Sequence, residues 1–133
     1  MYRVTKTLRF CYGHRLLNYH GKCRHLHGHN ARAEIELSAG KLDRLGMVKD
    51  FGEIKHKIQG WIDEHLDHKM MLCREDPALP FLRKLREPLY VIDANPTAEA
   101  IAKLIYDVAK RFGLPVTSVR LWETDSSFAT YRP

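Results

Sequence analysis

Long apolar runs are missing from this chain. A membrane-crossing helix needs roughly 18 consecutive apolar residues, and stretches such as Met70-Met71-Leu72-Cys73 fall far short of that. Nor do the first residues form an apolar signal core, because Arg3, Lys6 and Arg9 interrupt them, so no secretory leader is expected. Cysteine is scarce and odd in number: three residues exclude a fully paired disulfide framework and predict reduced thiols in the cytoplasm. A Gly-rich dinucleotide loop is absent, so nicotinamide or flavin chemistry is not expected. Repeats, low-complexity tracts and linkers are absent too, and 133 residues suit a single domain spanning 1–133. Acidic residues are missing from the first quarter. Glu34 is the first, after seven Lys or Arg in residues 1–33, and the whole chain carries +6. Such an acid-free, basic stretch attracts anions. With 44% hydrophobic and 29% charged residues, the composition otherwise excludes disorder and fibrous structure.

Histidine is what the chain has in excess. There are eight, and His14, His20, His25, His27 and His29 fall within sixteen residues. The first strand is predicted over residues 2–10, with Tyr2, Val4, Leu8 and Phe10 on one face and only Lys6 breaking the alternation. Residues 30–38 alternate more cleanly and predict a second strand. A helix opens at Asp50, with Glu53 completing a capping-box-like start, and Phe51, Ile54, Ile58, Trp61 and Ile62 form its buried stripe. Gly60 weakens this helix by about 1 kcal/mol relative to Ala. Residues 74–95, rich in Pro and charge, read as a long connection with one short helix around Phe81 to Leu85. A second long helix follows Asn95-Pro96, with proline at its first position, and ends at Gly113 and Pro115. Residues 116–123 and 127–131 predict two further strands around Thr124-Asp125-Ser126. The expected fold is therefore α+β in the order ββααββ: a four-stranded antiparallel sheet with both helices on one face. The other face and the sheet edges are left for oligomerisation to cover.

Residues two apart in a strand share a face, so His27 and His29 can grip one ion together. Neutral imidazoles are good zinc ligands, and three of them leave a fourth position open for water or substrate. Spacing alone leaves the third ligand open. His25 shares their parity, but three consecutive same-face residues span about 13 Å of strand, too far for one ion unless the chain bends. His14 could reach across from the first strand, and Cys23 could close a structural site.

Taken together, Phe10-Cys11-Tyr12-Gly13-His14-Arg15-Leu16 and Cys23-x-x-x-His27-Gly28-His29-Asn30 resemble the 6-pyruvoyl- and 6-carboxy-tetrahydropterin synthase family. Val48-x-Asp50-Phe51, Leu66-Asp67-His68, Pro96-Thr97-x-Glu99 and Glu123-Thr124 follow in order, so the resemblance covers essentially the whole chain. Two departures are Gly13 where the family usually has Ala, and Ala100 where Asn is common. The resemblance implies a tunnelling fold whose sheets join into an oligomeric barrel, a homohexamer built as a dimer of trimers. It implies zinc on His14, His27 and His29, Cys23 as proton acceptor, and an Asp67–His68 proton relay. Glu123 would bind the amino-pyrimidine edge of a pterin and belong to the catalytic set, with Thr97 or Thr124 completing the pocket. The substrate implied is 7,8-dihydroneopterin triphosphate, and zinc would be the sole cofactor. A glutamate in place of the cysteine marks a folate branch, which Cys23 argues against. The compact spacing from Cys23 to His27 and His29 resembles the bacterial queuosine-pathway branch, a lyase that also releases acetaldehyde. The alternative is a pyruvoyl synthase that eliminates triphosphate from the same substrate.

Two other classes stay in view. The basic first third suits a nucleic-acid module, but no zinc-finger spacing exists and the aromatics do not alternate with basic residues along the chain, so no nucleic-acid partner is expected. A structural zinc module would use Cys23 with the three histidines. His20, His56 and His65 read as structural or solvated, and His25 as a weak candidate for phosphate contact. Cys11 and Cys73 read as spectators, and Trp61 and Trp122 as core.

Overall fold

The computed structural model describes residues 1–133. Its long strands are β1 (Tyr2–His14), β2 (His27–Ala39) and β5 (Val116–Thr124), with β6 (Ser127–Tyr131) closing a hairpin. These four pair antiparallel in the order β1-β2-β5-β6, as alternation predicts. The sheet has six strands, however, not four. β3 (Lys69–Cys73) and β4 (Leu89–Ile92) extend it beyond β1 in the order β4-β3-β1, and both of these pairings are parallel. Neither short strand alternates. Met71 and Leu72 are consecutive and both buried, and all four residues of β4 are half-buried. Period-two reading therefore passes over them.

The helical segment after β2 begins as α1 (Phe51–Ile54), widens into a π-helical stretch over Lys55–Gln59, and continues as α2 (Gly60–His65). The π stretch has a visible purpose. Ile54, Ile58, Ile62 and Leu66 recur every four residues and all are fully buried. In a regular α-helix each four-residue step overshoots a turn by about 40°, and the wider π turn absorbs that drift and keeps the row on the core. Phe51, expected in this stripe, lies off the row and is 49% exposed. Asp50 caps the first turn by accepting from Gly52 N at 2.7 Å. Glu53 does not complete a capping box, because its carboxylate is held by Lys49 at 3.0 Å and Lys57 at 2.9 Å.

α3 (Leu79–Lys84) bridges β3 and β4, and α4 (Ala98–Arg111) packs on β5 and β6. Pro96 precedes α4 and does not open it. The cap is Thr97, whose hydroxyl accepts from Ala100 N at 3.1 Å. Both helical rows share one core with Leu8, Phe10, Tyr12, Ile35, Val119 and Leu121, so the helices cover a single face of the sheet.

The other face carries a guanidinium–aromatic ladder. Arg32 lies 4.8 Å from the Trp122 ring centre, Trp122 packs 4.4 Å from Phe128, and Arg120 sits 4.3 Å over Phe128. Trp122 is thus a stacking surface outside the core. Residues kept apart in sequence become interleaved because antiparallel register sets Arg32 opposite Trp122 and Trp122 opposite Phe128. Glu34 binds into the ladder, accepting from Trp122 Nε1 at 3.2 Å. No helix is long and apolar enough to cross a membrane, and all three cysteines are free thiols.

Candidate active site

The register of β1 and β2 sets His14 directly opposite His27 and Tyr12 opposite His29. Opposed residues share a face, so three imidazoles and a phenol crowd one end of the helix-covered side. His14 Nε2 lies 3.0 Å from His27 Nε2 and 3.2 Å from His29 Nε2. Carbonyl acceptors fix two of the tautomers. His14 Nδ1 donates to Pro96 O at 2.7 Å, and His27 Nδ1 donates to His25 O at 2.7 Å. Their Nε2 lone pairs are thereby left facing one another. Burial lowers the pKa of His14 and His29, which keeps both neutral. His25 lies outside β2 and offers this site only its backbone.

The facing Nε2 lone pairs of His14 and His27 have no proton between them and repel, and a cation removes that cost. A zinc ion with Zn–N bonds of about 2.0–2.1 Å in a tetrahedron holds neighbouring nitrogens about 3.3–3.4 Å apart, close to the spacing found. The donor set fits zinc, and the outward Nδ1–carbonyl bonds are the usual outer support of a histidine-bound metal.

Glu123, near the end of β5, reaches the same spot. Its Oε1 accepts from the Tyr12 hydroxyl at 3.1 Å and lies 3.9 Å from His14 Nε2. Burial, and then the Glu123 charge, hold the Tyr12 phenol protonated far above its ordinary range. Glu123 opens onto a cavity of about 320 Å³ that is also lined by His14, Cys23, Thr97, Glu99 and Phe128. Cys23 sits in a short 3-10 turn, Lys22–Arg24, tied to the segment just after β1 by Leu16 N donating to Cys23 O at 2.9 Å. It does not join the three histidines, whose ligand atoms converge without it. Thr124 is exposed and turned into the β5–β6 hairpin, where its hydroxyl lies 3.3 Å from Ser126 Oγ.

Asp67 and His68 lie elsewhere in the chain. They line neither the Cys23 cavity nor the Glu123 carboxylate. His68 opens into a second cavity of about 510 Å³, with Cys11, His27, His29, Lys69 and Glu87 among its walls. His68 Nδ1 bonds Asp67 Oδ2 at 2.7 Å, and the His68 side chain is 79% exposed. Burial alone would raise the Asp67 carboxyl, but the Cys11 N–H and His68 bonds together hold it below the usual range. The metal-site histidines stand between the two cavities, His14 lining one and His27 and His29 the other.

Three supporting residues escape a reading of the sequence. Tyr12 had a signal, since it shares the parity of His14. Asn95 had none: its side-chain amide accepts from Leu17 N at 2.8 Å and donates to Leu17 O at 3.0 Å, pinning the segment whose Pro96 carbonyl orients His14. Asp76 is buried and clamps Arg15 through both carboxylate oxygens, fixing the chain just beyond His14. Gly13, where an alanine is usual in the resembling family, has Met70 packed against it. An added Cβ would meet Met70 Cε at 2.6 Å, so the thioether fills the space of the missing methyl.

The family model described as 6-pyruvoyl tetrahydropterin synthase matches residues 3–133. The chain belongs to this family. The 6-carboxy-5,6,7,8-tetrahydropterin synthase of Rickettsia conorii is 37% identical, over 96% of this chain and 98% of its own length. Among solved structures, an uncharacterised protein from Wolinella succinogenes superposes with TM-score 0.83 at 28% identity, covering 98% of this chain and 97% of that one. The Caenorhabditis elegans 6-pyruvoyl tetrahydropterin synthase shares the fold at TM-score 0.73 and 21% identity, covering 99% of this chain and 95% of that one. The chain is thus an enzyme of the tetrahydropterin synthase family, with an α+β fold built on a mixed sheet.

Proposed function

We propose that this enzyme is a zinc-dependent lyase that converts 7,8-dihydroneopterin triphosphate to 6-carboxy-5,6,7,8-tetrahydropterin. It acts as one pterin-synthase domain over residues 1–133 and serves queuosine biosynthesis. The observation that carries the reading is the meeting of the three imidazoles at His14 Nε2, with the Glu123 carboxylate 3.9 Å from that atom and Cys23 lining the same cavity as His14 and Glu123. The name of the Rickettsia conorii relative supports the carboxy product. Three free thiols suit a reducing cytoplasm.

Glu123 offers two acceptor oxygens to the parallel N–H groups of the pterin's amino-pyrimidine edge, and Tyr12 steadies the carboxylate from behind. Thr97 lies in the same wall. Zinc held by His14, His27 and His29 would supply Lewis acidity toward the side-chain hydroxyls of the substrate. Cys23 is the proton acceptor. The reaction consumes one water and releases triphosphate and acetaldehyde. The electrons lost by the side chain stay in the pterin ring, so no external oxidant is needed.

Asp67 orients His68 for proton exchange. Because the pair opens into a different cavity from Cys23, it serves the Cys23 of a neighbouring copy. Unpaired strand edges support this assembly. From Tyr2 to Leu8, β1 has a strand partner only on its β2 side, and β6 has a partner only on its β5 side. A homohexamer made as a dimer of trimers satisfies both edges. Mass analysis of the pterin formed from dihydroneopterin triphosphate tests the reading. A 6-carboxy product with acetaldehyde is expected, whereas a 6-pyruvoyl product assigns the enzyme to the other branch.

A further inference from the structure

Cys11 lies outside the machinery described above, yet it is built into a cluster. Its N–H donates to Asp67 Oδ1 at 2.9 Å and its carbonyl accepts from His68 N at 2.8 Å, so both polar groups of its backbone are clasped by the relay pair. One ligand atom from each of Cys11, Asp67 and His68 lies within 4.8 Å of the other two. Alternation along β1 turns Cys11 to the face opposite Tyr12 and His14, so this group is a ligand set distinct from the three histidines, although His27 and His29 border the same cavity.

The two groups differ in chemistry. Three neutral imidazoles carry no charge. A thiolate, a carboxylate and an imidazole together carry two negative charges and one soft donor, which suits zinc, cobalt or cadmium better than magnesium or calcium. Access is open, because the cluster borders the cavity of about 510 Å³ and His68 is exposed, leaving room for water to complete the coordination.

We propose that Cys11, Asp67 and His68 form a second site for a thiophilic divalent cation, and that its occupation takes the relay out of action. Binding releases the thiol proton to solvent. The ring proton that His68 shares with Asp67 stays on the imidazole, on whichever nitrogen does not ligate. Excess zinc then inhibits the enzyme at a place distinct from its resident metal. The inhibitory consequence rests on the relay role proposed above, whereas the cation site does not.

The test uses the zinc-loaded, full-length protein without substrate, titrated with cobalt(II). A sulfur-to-cobalt charge-transfer band should grow and saturate at one equivalent per chain in the parent and in Cys23→Ala. It should be missing in Cys11→Ser. Cadmium should also protect Cys11 from alkylation in the unmodified parent, read by peptide mass mapping, which needs no variant. Cys11→Ser should retain resident zinc and basal turnover, while the zinc concentration for half-inhibition rises about tenfold or more. The site is overturned if the parent shows no band at millimolar cobalt, if Cys11→Ser retains it, or if Cys23→Ala loses it. A parent that shows the band but releases no triphosphate would overturn the functional reading alone.

Discussion

Cys23 and His14 border one cavity, but only the histidine has a lone pair aimed at the other imidazoles. A thiol outside the ligand group can be removed without emptying it. Cys23→Ala should therefore keep one zinc per chain by elemental analysis, while turnover falls about 10²–10⁴-fold through loss of the base. Equal loss of metal and activity would make Cys23 a ligand and the site structural. Glu123→Gln tests the neighbouring wall. It sets a donor against a donor at the pterin edge, which costs about 2–3 kcal/mol in substrate binding. Zinc content should hold, because Glu123 lies 3.9 Å from His14 Nε2 and outside the histidine group. Calorimetric binding equal to the parent's would place the pterin elsewhere.

Between β4 and α4 a short segment does more for the site than its length suggests. Asn95 grips both backbone groups of Leu17, Pro96 offers its carbonyl to His14, and Thr97 caps α4. Asn95→Ala should loosen the Pro96 carbonyl and lower zinc affinity about 10–100-fold, the usual cost of losing outer support. Thr97→Ala is the contrast: it should cost about 1 kcal/mol of stability through the lost cap with zinc affinity unchanged. Competition with a chromophoric chelator separates the two. Sequence could not show this segment's role, because a backbone carbonyl leaves no mark on residue identity. It did show β1, β2 and β5, whose alternation is long enough to read, and β6, which the turn at Thr124-Asp125-Ser126 sets off from β5. It hid β3 and β4, which lack the polar face that makes a strand alternate. The π stretch was hidden too, although Ile54, Ile58, Ile62 and Leu66 at intervals of four carried the hint. Within the site, Glu123 stands far from His14 in sequence. Only the β2–β5 pairing beside the β1–β2 pairing brings it to Tyr12.

At the scale of the whole molecule, one chain holds every proposed group but does not bring them together. His14, Cys23 and Glu123 share one cavity, while Asp67 and His68 border the other. Two neighbouring copies resolve this if one supplies Cys23 and the next supplies the relay. The exposed Phe81 and Leu85 on and just beyond α3, 71% and 69% accessible, are apolar surface that such packing would cover. Complementation decides it. Cys23→Ala and His68→Ala should each be inactive as pure proteins. Coexpressed at equal levels, they form mixed rings in which some sites pair an intact Cys23 on one subunit with an intact His68 on the next. Random assembly in a closed ring makes that fraction about one quarter of all sites, so about a quarter of parental turnover should return. A site formed within one chain would return none, since every subunit then carries a lesion. Mixing the two proteins after assembly, without subunit exchange, should also return none, which ties the recovered activity to the shared interface.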